Sequence, residues 1–517
     1  MSYEQALEEL VYRLKDVNDL KSVEKVKIEV AKKYNLDRVP KNSDIIKFAK
    51  IKNVDLKLFV KPSRAISGVT VIAVMSKPFP CPPQAQCIYC PGGVKFGTPQ
   101  SYTGYEPAAA RGKEFNYDPF KQVIHRVEHL ESLGHPTSKN EIIIMGGTFL
   151  SFPIDYQEWF VKNIYDALNE KISTTLEEAI ELNERANHRC IGLTIETRPD
   201  YCKEEHVDLM LRYGGTRVEI GVQTLDDSLL KKTHRGHTVK DVVDAFRIAK
   251  DAGFKIVAHM MPGYPGSTKE KDFESFKKLF YDDSFKPDMV KIYPTLVVGG
   301  TLLELMYKKG LYKPLTNEEA AEFVADVLEI TPPWVRIMRI QRDIPAFKII
   351  AGPTAGNLRE LAMQILKERG KKCWEIRCRE VGHKRIPEEK LKEFKLVRRE
   401  YNASEGKEYF LSYEDEEGNL AGYLRLRVPS EKAHRPEVKG ASIVRELKVV
   451  GRVVPISEKS YGWQHKGLGR SLLAEAERIT KEELGLNKIV VISGVGVREY
   501  YMKLGYVKEG PYVSKLL

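Results

Sequence analysis

Six short runs rich in β-branched residues alternate with longer amphipathic stretches. The runs are Val69–Met75, Glu141–Met145, Ile191–Glu196, Thr216–Gly221, Lys255–Met260 and Met289–Tyr293. Between them lie segments such as Phe120–Leu133, Gln157–Leu168, Glu204–Tyr213 and Val239–Asp251, each apolar on one helical face. Strands separated by helices join in parallel, because the crossover returns the chain to the same end of the sheet. The pattern therefore predicts an α/β fold whose core is a partial (β/α)6 barrel over residues 66–330. Chemistry in such barrels sits at the C-terminal ends of the strands.

The first run is followed by Cys81-Pro-Pro-Gln-Ala-Gln-Cys87-Ile-Tyr-Cys90-Pro-Gly-Gly93. Three thiols within ten residues, on a loop bent by Pro and Gly, can converge on one centre. Three ligands rather than four leave a metal position open, as in an iron–sulfur cluster that binds a small molecule at one iron. A structural zinc would want a fourth ligand, and no Cys or His lies nearby. The other strand ends carry suitable groups as well: Met145-Gly-Gly-Thr148, Glu196-Thr-Arg-Pro-Asp200, Gly221-Val-Gln-Thr224 and His259-Met-Met-Pro-Gly-Tyr-Pro-Gly266. Glycines at the second end let a ligand approach the backbone with no Cβ in the way.

Residues 1–65 read as a helical leader, with Leu7, Leu10, Val11 and Leu14 on one face. Lys25, Lys27, Lys32 and Lys33 on a second helix are candidate phosphate contacts. The leader's start is acidic and amphipathic, unlike a signal peptide. No apolar run is long enough to span a membrane. Seven cysteines in 517 residues suit a reducing, cytoplasmic setting better than a disulfide framework.

The formal net charge is +11, and residues 331–400 hold 18 Lys+Arg against 9 Asp+Glu. That excess marks residues 331–390 as a basic connector suited to a polyanion. The connector also carries Cys373, Cys378 and His383, which could hold a structural zinc with a fourth ligand from elsewhere. Residues 391–517 change style, with antiparallel strands expected at Phe394–Glu400, Glu408–Tyr413 and Gly418–Arg427, then further strands at Ser442–Val450 and Lys488–Ile492. Between the last two, Gln464-His-Lys-Gly-Leu-Gly469 runs into an amphipathic helix. Glycines entering a helix N-terminus expose N–H groups that seat a pyrophosphate.

The cysteine loop and the Gly-Gly motif resemble the radical S-adenosylmethionine (SAM) superfamily. Tyr89-Cys-Pro-Gly-Gly93, Gln100-Ser-Tyr-Thr-Gly-Tyr-Glu-Pro107, Met145-Gly-Gly-Thr-Phe149 and Ile195-Glu-Thr-Arg-Pro-Asp-Tyr-Cys202 are similar to the family of the Elongator catalytic subunit, a likeness that runs from about residue 20 to the end. It implies a [4Fe–4S] cluster on Cys81, Cys87 and Cys90, with SAM near Gly146, Gly147, Thr148, Glu196, Arg198 and Gln223. Five residues separate Cys81 from Cys87, where the superfamily usually has three and this family more than five, so the reach of the first thiolate is in question. Residues 391–517 look like a Gcn5-related N-acetyltransferase domain. By resemblance, acetyl-CoA would meet Lys139, Glu446, Leu447, Lys448, Val449, Gln464, His465, Lys466, Gly467, Gly469 and Tyr501. Tyr500 or Tyr501 could protonate the departing thiolate. The resemblance further implies tRNA as partner at its anticodon region, with homodimerisation left open. The implied product is 5-carboxymethyluridine at wobble position 34, formed by radical chemistry. The competing reading is a protein lysine acetyltransferase scaffolded by the barrel.

Overall fold

The computed structural model describes residues 2–17, 19–56, 58, 68–384, 386–450 and 467–517. Its central sheet has strands β1 (Thr70–Met75), β2 (Lys139–Met145), β3 (Arg189–Thr197), β4 (Arg217–Gln223), β5 (Lys255–Met260), β6 (Met289–Ile292) and β7 (Arg336–Ile340), paired in that order and all parallel. The first six correspond to the six expected runs. The seventh comes from within the stretch read as a connector. Ile337 and Ile340 enter the core, whereas Arg336 pairs with Glu380. Because β1 and β7 do not pair, the sheet forms a barrel open along one side.

The crossover helices start where the sequence offers a cap. The side chains of Thr175, Thr238, Thr268, Thr301 and Thr316 each accept a hydrogen bond from the backbone N–H three residues on. Thr238 and Asp241 complete a reciprocal capping box. The N-terminal helices Ser2–Leu14, Leu20–Lys33 and Asn42–Ile51 bury Leu7, Leu10, Val11 and Leu14 in a small core of their own. Lys25 and Lys32 face solvent, while Lys27 pairs with Glu24 and Lys33 with Glu9.

The C-terminal unit is a mixed seven-stranded sheet. Its strands are β8 (Lys395–Ala403), β9 (Gly406–Glu414), β10 (Leu420–Val428), β11 (Ser442–Val449), β12 (Lys488–Val491), β13 (Val507–Glu509) and β14 (Tyr512–Leu516), ordered β8-β9-β10-β11-β12-β14-β13. It docks on the N-terminal ends of the barrel strands. Ile443, Val490, Ile492, Val495 and Tyr512 belong to the same buried cluster as Ile195, Val218 and Ile256, so one hydrophobic core crosses the seam. Charges are buried there too. Asp288, just before β6, accepts from both terminal nitrogens of Arg445 at 2.7 Å, and Asp251 accepts from Arg427 at 2.7 Å. Glu408 accepts from both arginines.

At one point in the seam backbone packs directly on backbone. A Cβ at Gly494 would lie 1.9 Å from the carbonyl oxygen of Ile191 at the start of β3. Gly494→Ala is therefore expected to force the two units apart and to destabilise the chain by more than the roughly 1–3 kcal/mol typical of an overpacked side chain. A thermal melt checks this, and an unchanged midpoint would refute it.

Candidate active site

The cysteine loop is strapped into place by main-chain bonds. Gln86 N–H donates to His234 O at 3.0 Å, Ile88 N–H to Thr233 O at 3.1 Å, and Leu303 N–H to Ile88 O at 2.9 Å. Gly236, at φ +86°, lets the turn after the helix Asp227–Lys232 approach so closely that a Cβ there would lie 2.4 Å from Gln84 O. The strapping turns all three thiols onto one cavity of about 580 Å³. Cys81 is among them, so the five-residue gap does not keep it from Cys87 and Cys90.

The thiols suit a cationic centre. Burial, then the charges of Cys90 and Cys87, push Cys81 up to about 11, and burial with Cys87 raises Cys90. Both shifts favour the neutral thiol at Cys81 and Cys90, and a bound cation would reverse that preference. Donors already point at two of the sulfurs. Gln100 Nε2 lies 3.1 Å from Cys90 Sγ, and an Arg235 nitrogen lies 3.5 Å from Cys87 Sγ. N–H groups of this kind stabilise cluster sulfur.

The same cavity is lined by Gly147, Thr148, Glu196, Arg198 and Gln223, with Gly146 beside it in sequence. Gly146 (φ +136°) and Gly147 (φ +92°) need glycine, and a Cβ on Gly146 would lie 1.9 Å from Ser76 Oγ. Arg198 is held by Asp200 and by Arg235 O. Its other terminal nitrogen and Gln223 Oε1 are buried without a hydrogen-bond partner among the described residues. Orphaned polar atoms on a cavity wall are the mark of a ligand's polar groups, here fitting SAM.

The cavity also holds His259, which the strand-end pattern had singled out, and residues not assigned to the site from sequence: Tyr102, Glu219, Arg235, Lys291, Tyr293, Arg339 and Arg342. Its walls continue down the open side of the barrel to Val71, near the N-terminal end of β1. Arg342 donates to Ser101 O and lies over the Tyr102 ring. Beside this mouth stand exposed aromatic rings. Tyr105 and Phe347 meet edge to face at 5.3 Å, with the Lys348 ammonium 4.5 Å from the Tyr105 centroid.

A second group of the expected residues gathers at the other end of the strands. β11 and β12 pair only over Ser442–Val444 and Ile489–Val491, and Arg445 is an extra residue against β10. From there the β12-facing backbone of Glu446, Leu447, Lys448 and Val449 is free of the ladder. The Glu446 side chain turns back to accept from Tyr423 and Arg425. Arg336 and burial lower the Lys448 pKa, and Leu447 packs on the smaller core. The helix Leu468–Arg478 begins at Gly467 (φ +79°), and a Cβ on Gly469 would sit 3.2 Å from the Tyr500 hydroxyl and 3.8 Å from Val449. Strand edge, helix start and Tyr500 thus converge. Lys139 opens β2 opposite Arg189, which packs on Gly496 at the seam. Gln464, His465 and Lys466 lie outside the described residues.

Two expectations change. The resemblance favours Tyr501 for coenzyme contact, but Tyr501 is buried in the smaller core against Tyr506, whereas Tyr500 is half-exposed. Successive residues on a short helix point about 100° apart, so the two rings have different surroundings. The expected zinc ligands Cys373, Cys378 and His383 do not assemble. The two cysteines form a disulfide, and His383 turns away to Glu380 at 3.3 Å. The basic connector is also largely spent on the fold: Arg336 pairs with Glu380, Arg359 with Glu375, and Arg379 with Glu414. Arg339, Arg342 and Lys348 are its cations nearest the cavity mouth.

Three family models match in series: an ELP3 N-terminal domain over residues 3–66, the Radical SAM superfamily over 81–279, and a Radical_SAM C-terminal domain over 287–368. The chain is 49% identical to a tRNA uridine(34) acetyltransferase of Methanocaldococcus jannaschii, covering 96% of this chain and 94% of that one. It is 48% identical to Elongator complex protein 3 of Homo sapiens, covering 95% and 93%. A solved structure of archaeal Methanocaldococcus infernus Elp3, with residues 1–46 deleted, superimposes with a TM-score of 0.78 at 46% identity, over 87% of this chain and all of that one.

Proposed function

The chain belongs to the Elongator complex protein 3 family, and from that premise we propose that it modifies wobble uridine 34 of tRNA, using SAM and acetyl-CoA to make 5-carboxymethyluridine. The observation that carries this reading is the convergence of three thiols on a cavity whose walls hold unpartnered Arg198 and Gln223 atoms. Cys81, Cys87 and Cys90 hold a [4Fe–4S] cluster there. Gln100 and Arg235 spread its negative charge, and Glu196, Arg198, Gln223 and the Gly146–Gly147 backbone orient SAM. When bound, the two supply a carbon-centred radical able to take hydrogen from an unactivated C–H bond.

The freed backbone of Glu446–Val449 aligns the pantetheine arm of acetyl-CoA, and Gly467–Gly469 with the following helix start seats its pyrophosphate. Tyr500 is placed to donate a proton to the thiolate that leaves. The open side of the barrel, lined down to Val71, is the route by which the acetyl end reaches the radical site. The enzyme acts on tRNA in the cytoplasm. No helix among the described residues is long and apolar enough to cross a membrane.

The direct test is anaerobic reconstitution with tRNA, SAM, acetyl-CoA and reductant, omitting each in turn and analysing nucleosides by mass. Carboxymethyluridine should require all of them. Acetylated protein substrates with no modified nucleoside would overturn the reading. The exposed rings at the mouth give a further expectation. Base–aromatic stacking is worth about 1–3 kcal/mol, so Phe347→Ala should weaken binding of an anticodon stem-loop about tenfold, read by fluorescence anisotropy. SAM cleavage measured without RNA should be unchanged.

A further inference from the structure

The floor of the cavity contains a carboxylate that the radical chemistry does not account for. Glu219, midway along β4, is fully buried and lines the cavity. Its Oε2 accepts from His259 Nε2 at 2.9 Å and from Lys291 Nζ at 2.8 Å. Its Oε1 is buried and has no hydrogen-bond partner among the described residues. Burial alone would raise the Glu219 pKa, but Lys291 and His259 outweigh it and hold the group below the usual carboxylate range. Glu196 beside it is different. Burial and the Glu219 charge raise it, and its Oε2 accepts from the Tyr102 hydroxyl at 2.8 Å. The floor therefore presents one fixed anion with a free acceptor lone pair, next to an ammonium with N–H bonds to spare. An acceptor buried without a donor is costly, and persists where a ligand brings the donor.

We propose that Glu219, backed by Lys291 and His259, reads the imide edge of the target pyrimidine. The free Oε1 accepts the N3–H of uracil, and the Lys291 ammonium donates to a neighbouring carbonyl oxygen of the base. This rests on the reading that a uridine enters this cavity. Cytosine would bring the N3 lone pair against the carboxylate lone pair and be repelled. Donor atoms of Glu196, Glu219 and His259 also lie within 4.8 Å of one another, a spacing a divalent cation accepts. Lys291 already supplies the compensating positive charge to Glu219, which favours a neutral hydrogen-bonding ligand over a second cation.

The test uses cluster-loaded enzyme and anticodon stem-loops that differ only at the target position: uridine, N3-methyluridine or cytidine. Binding is read by anisotropy without reductant, and modification by nucleoside mass with all co-substrates present. The wild type should prefer uridine by about tenfold or more over both analogues, the discrimination of one good base-edge pair. Glu219→Gln should narrow the uridine-to-cytidine ratio by about tenfold, because the amide can turn its NH2 to the cytosine N3. Equal binding and reaction of the three RNAs by the wild type would overturn the proposal, a result independent of how well any variant folds. An unchanged ratio in folded Glu219→Gln would also overturn it. SAM cleavage to 5′-deoxyadenosine by the wild type separates the two levels. Its absence defeats the radical reading itself, while its presence without base preference defeats only this inference.

Discussion

Cys87→Ala is expected to leave a folded protein that neither retains its cluster nor cleaves SAM. The three thiols line one cavity, and no other Cys borders it. The remaining free cysteines, Cys190 and Cys202, are buried in the barrel core. No further thiol among the described residues can replace the lost ligand. Losing a group that merely orients a metal ligand costs about 10–100-fold in metal affinity or activity. Losing the ligand itself should exceed that range. Gln100→Leu supplies the comparison, because it removes only the N–H at 3.1 Å from Cys90 Sγ and should fall inside the range. The loop should keep its course in both variants, since main-chain bonds from Gln86 and Ile88 to the turn after the helix Asp227–Lys232 hold it. Coenzyme binding should be unchanged, because that site lies at the opposite end of the strands, about 20 Å away for six residues. Iron and sulfide content, 5′-deoxyadenosine yield and acetyl-CoA affinity check the three parts. A Cys87→Ala protein that still modified tRNA would remove the cysteine loop from the chemistry.

The parts legible in the sequence were those that local physics writes into short stretches. Runs rich in β-branched residues gave six of the seven barrel strands, and amphipathic stretches gave the helices between them. The cysteine spacing and the glycines at strand ends gave the site's rim. The seventh strand was hidden because Arg336 and Arg339 interrupt its apolar pattern. The Arg336 charge reads as solvent-facing until Glu380 is seen buried beside it, whereas Arg339 does remain partly exposed in its pair with Asp343. Arg379 misled for the same reason, being wholly buried against Glu414. The cavity floor left a faint trace: Arg217/Glu219 and Lys255/His259 place charge at same-face positions in otherwise apolar strands, as a polar lumen requires. Which face they took could be known only once the strands were in register. The parting of β11 from β12, and the choice of Tyr500 over Tyr501, depend on pairing between segments far apart in the chain. No local pattern reports that.

Asp288→Ala should have the largest effect on stability. Asp288 is completely buried in the seam, between Arg445, which it binds through both oxygens at 2.7 Å, and Arg425 at 3.5 Å. Removing it leaves Glu408 and Glu446 as the carboxylates nearest these two guanidinium groups. Breaking a buried pair by deleting one partner costs about 3–5 kcal/mol, because the remaining charge stays desolvated. With the 517-residue chain melting as one unit, at about 2.1 cal/mol/K of unfolding entropy per residue, the melting midpoint should fall by roughly 3–5 °C. One core spans both units, so the loss should appear as a shift of the whole transition rather than early release of one unit. The pH dependence has a definite sign. Burial would raise the Asp288 pKa, but the arginines, Arg445 first, hold it far below the usual range. A carboxylate depressed in the folded state stabilises fully above its unfolded pKa, near 4, and loses that contribution as pH falls towards the folded value. Wild-type stability should therefore decline below about pH 4, more steeply than that of Asp288→Asn, which keeps the shape and lacks the titration. Chemical denaturation from pH 7 down to 3 measures the difference. Parallel curves for the two proteins would show that the seam does not depend on this charge.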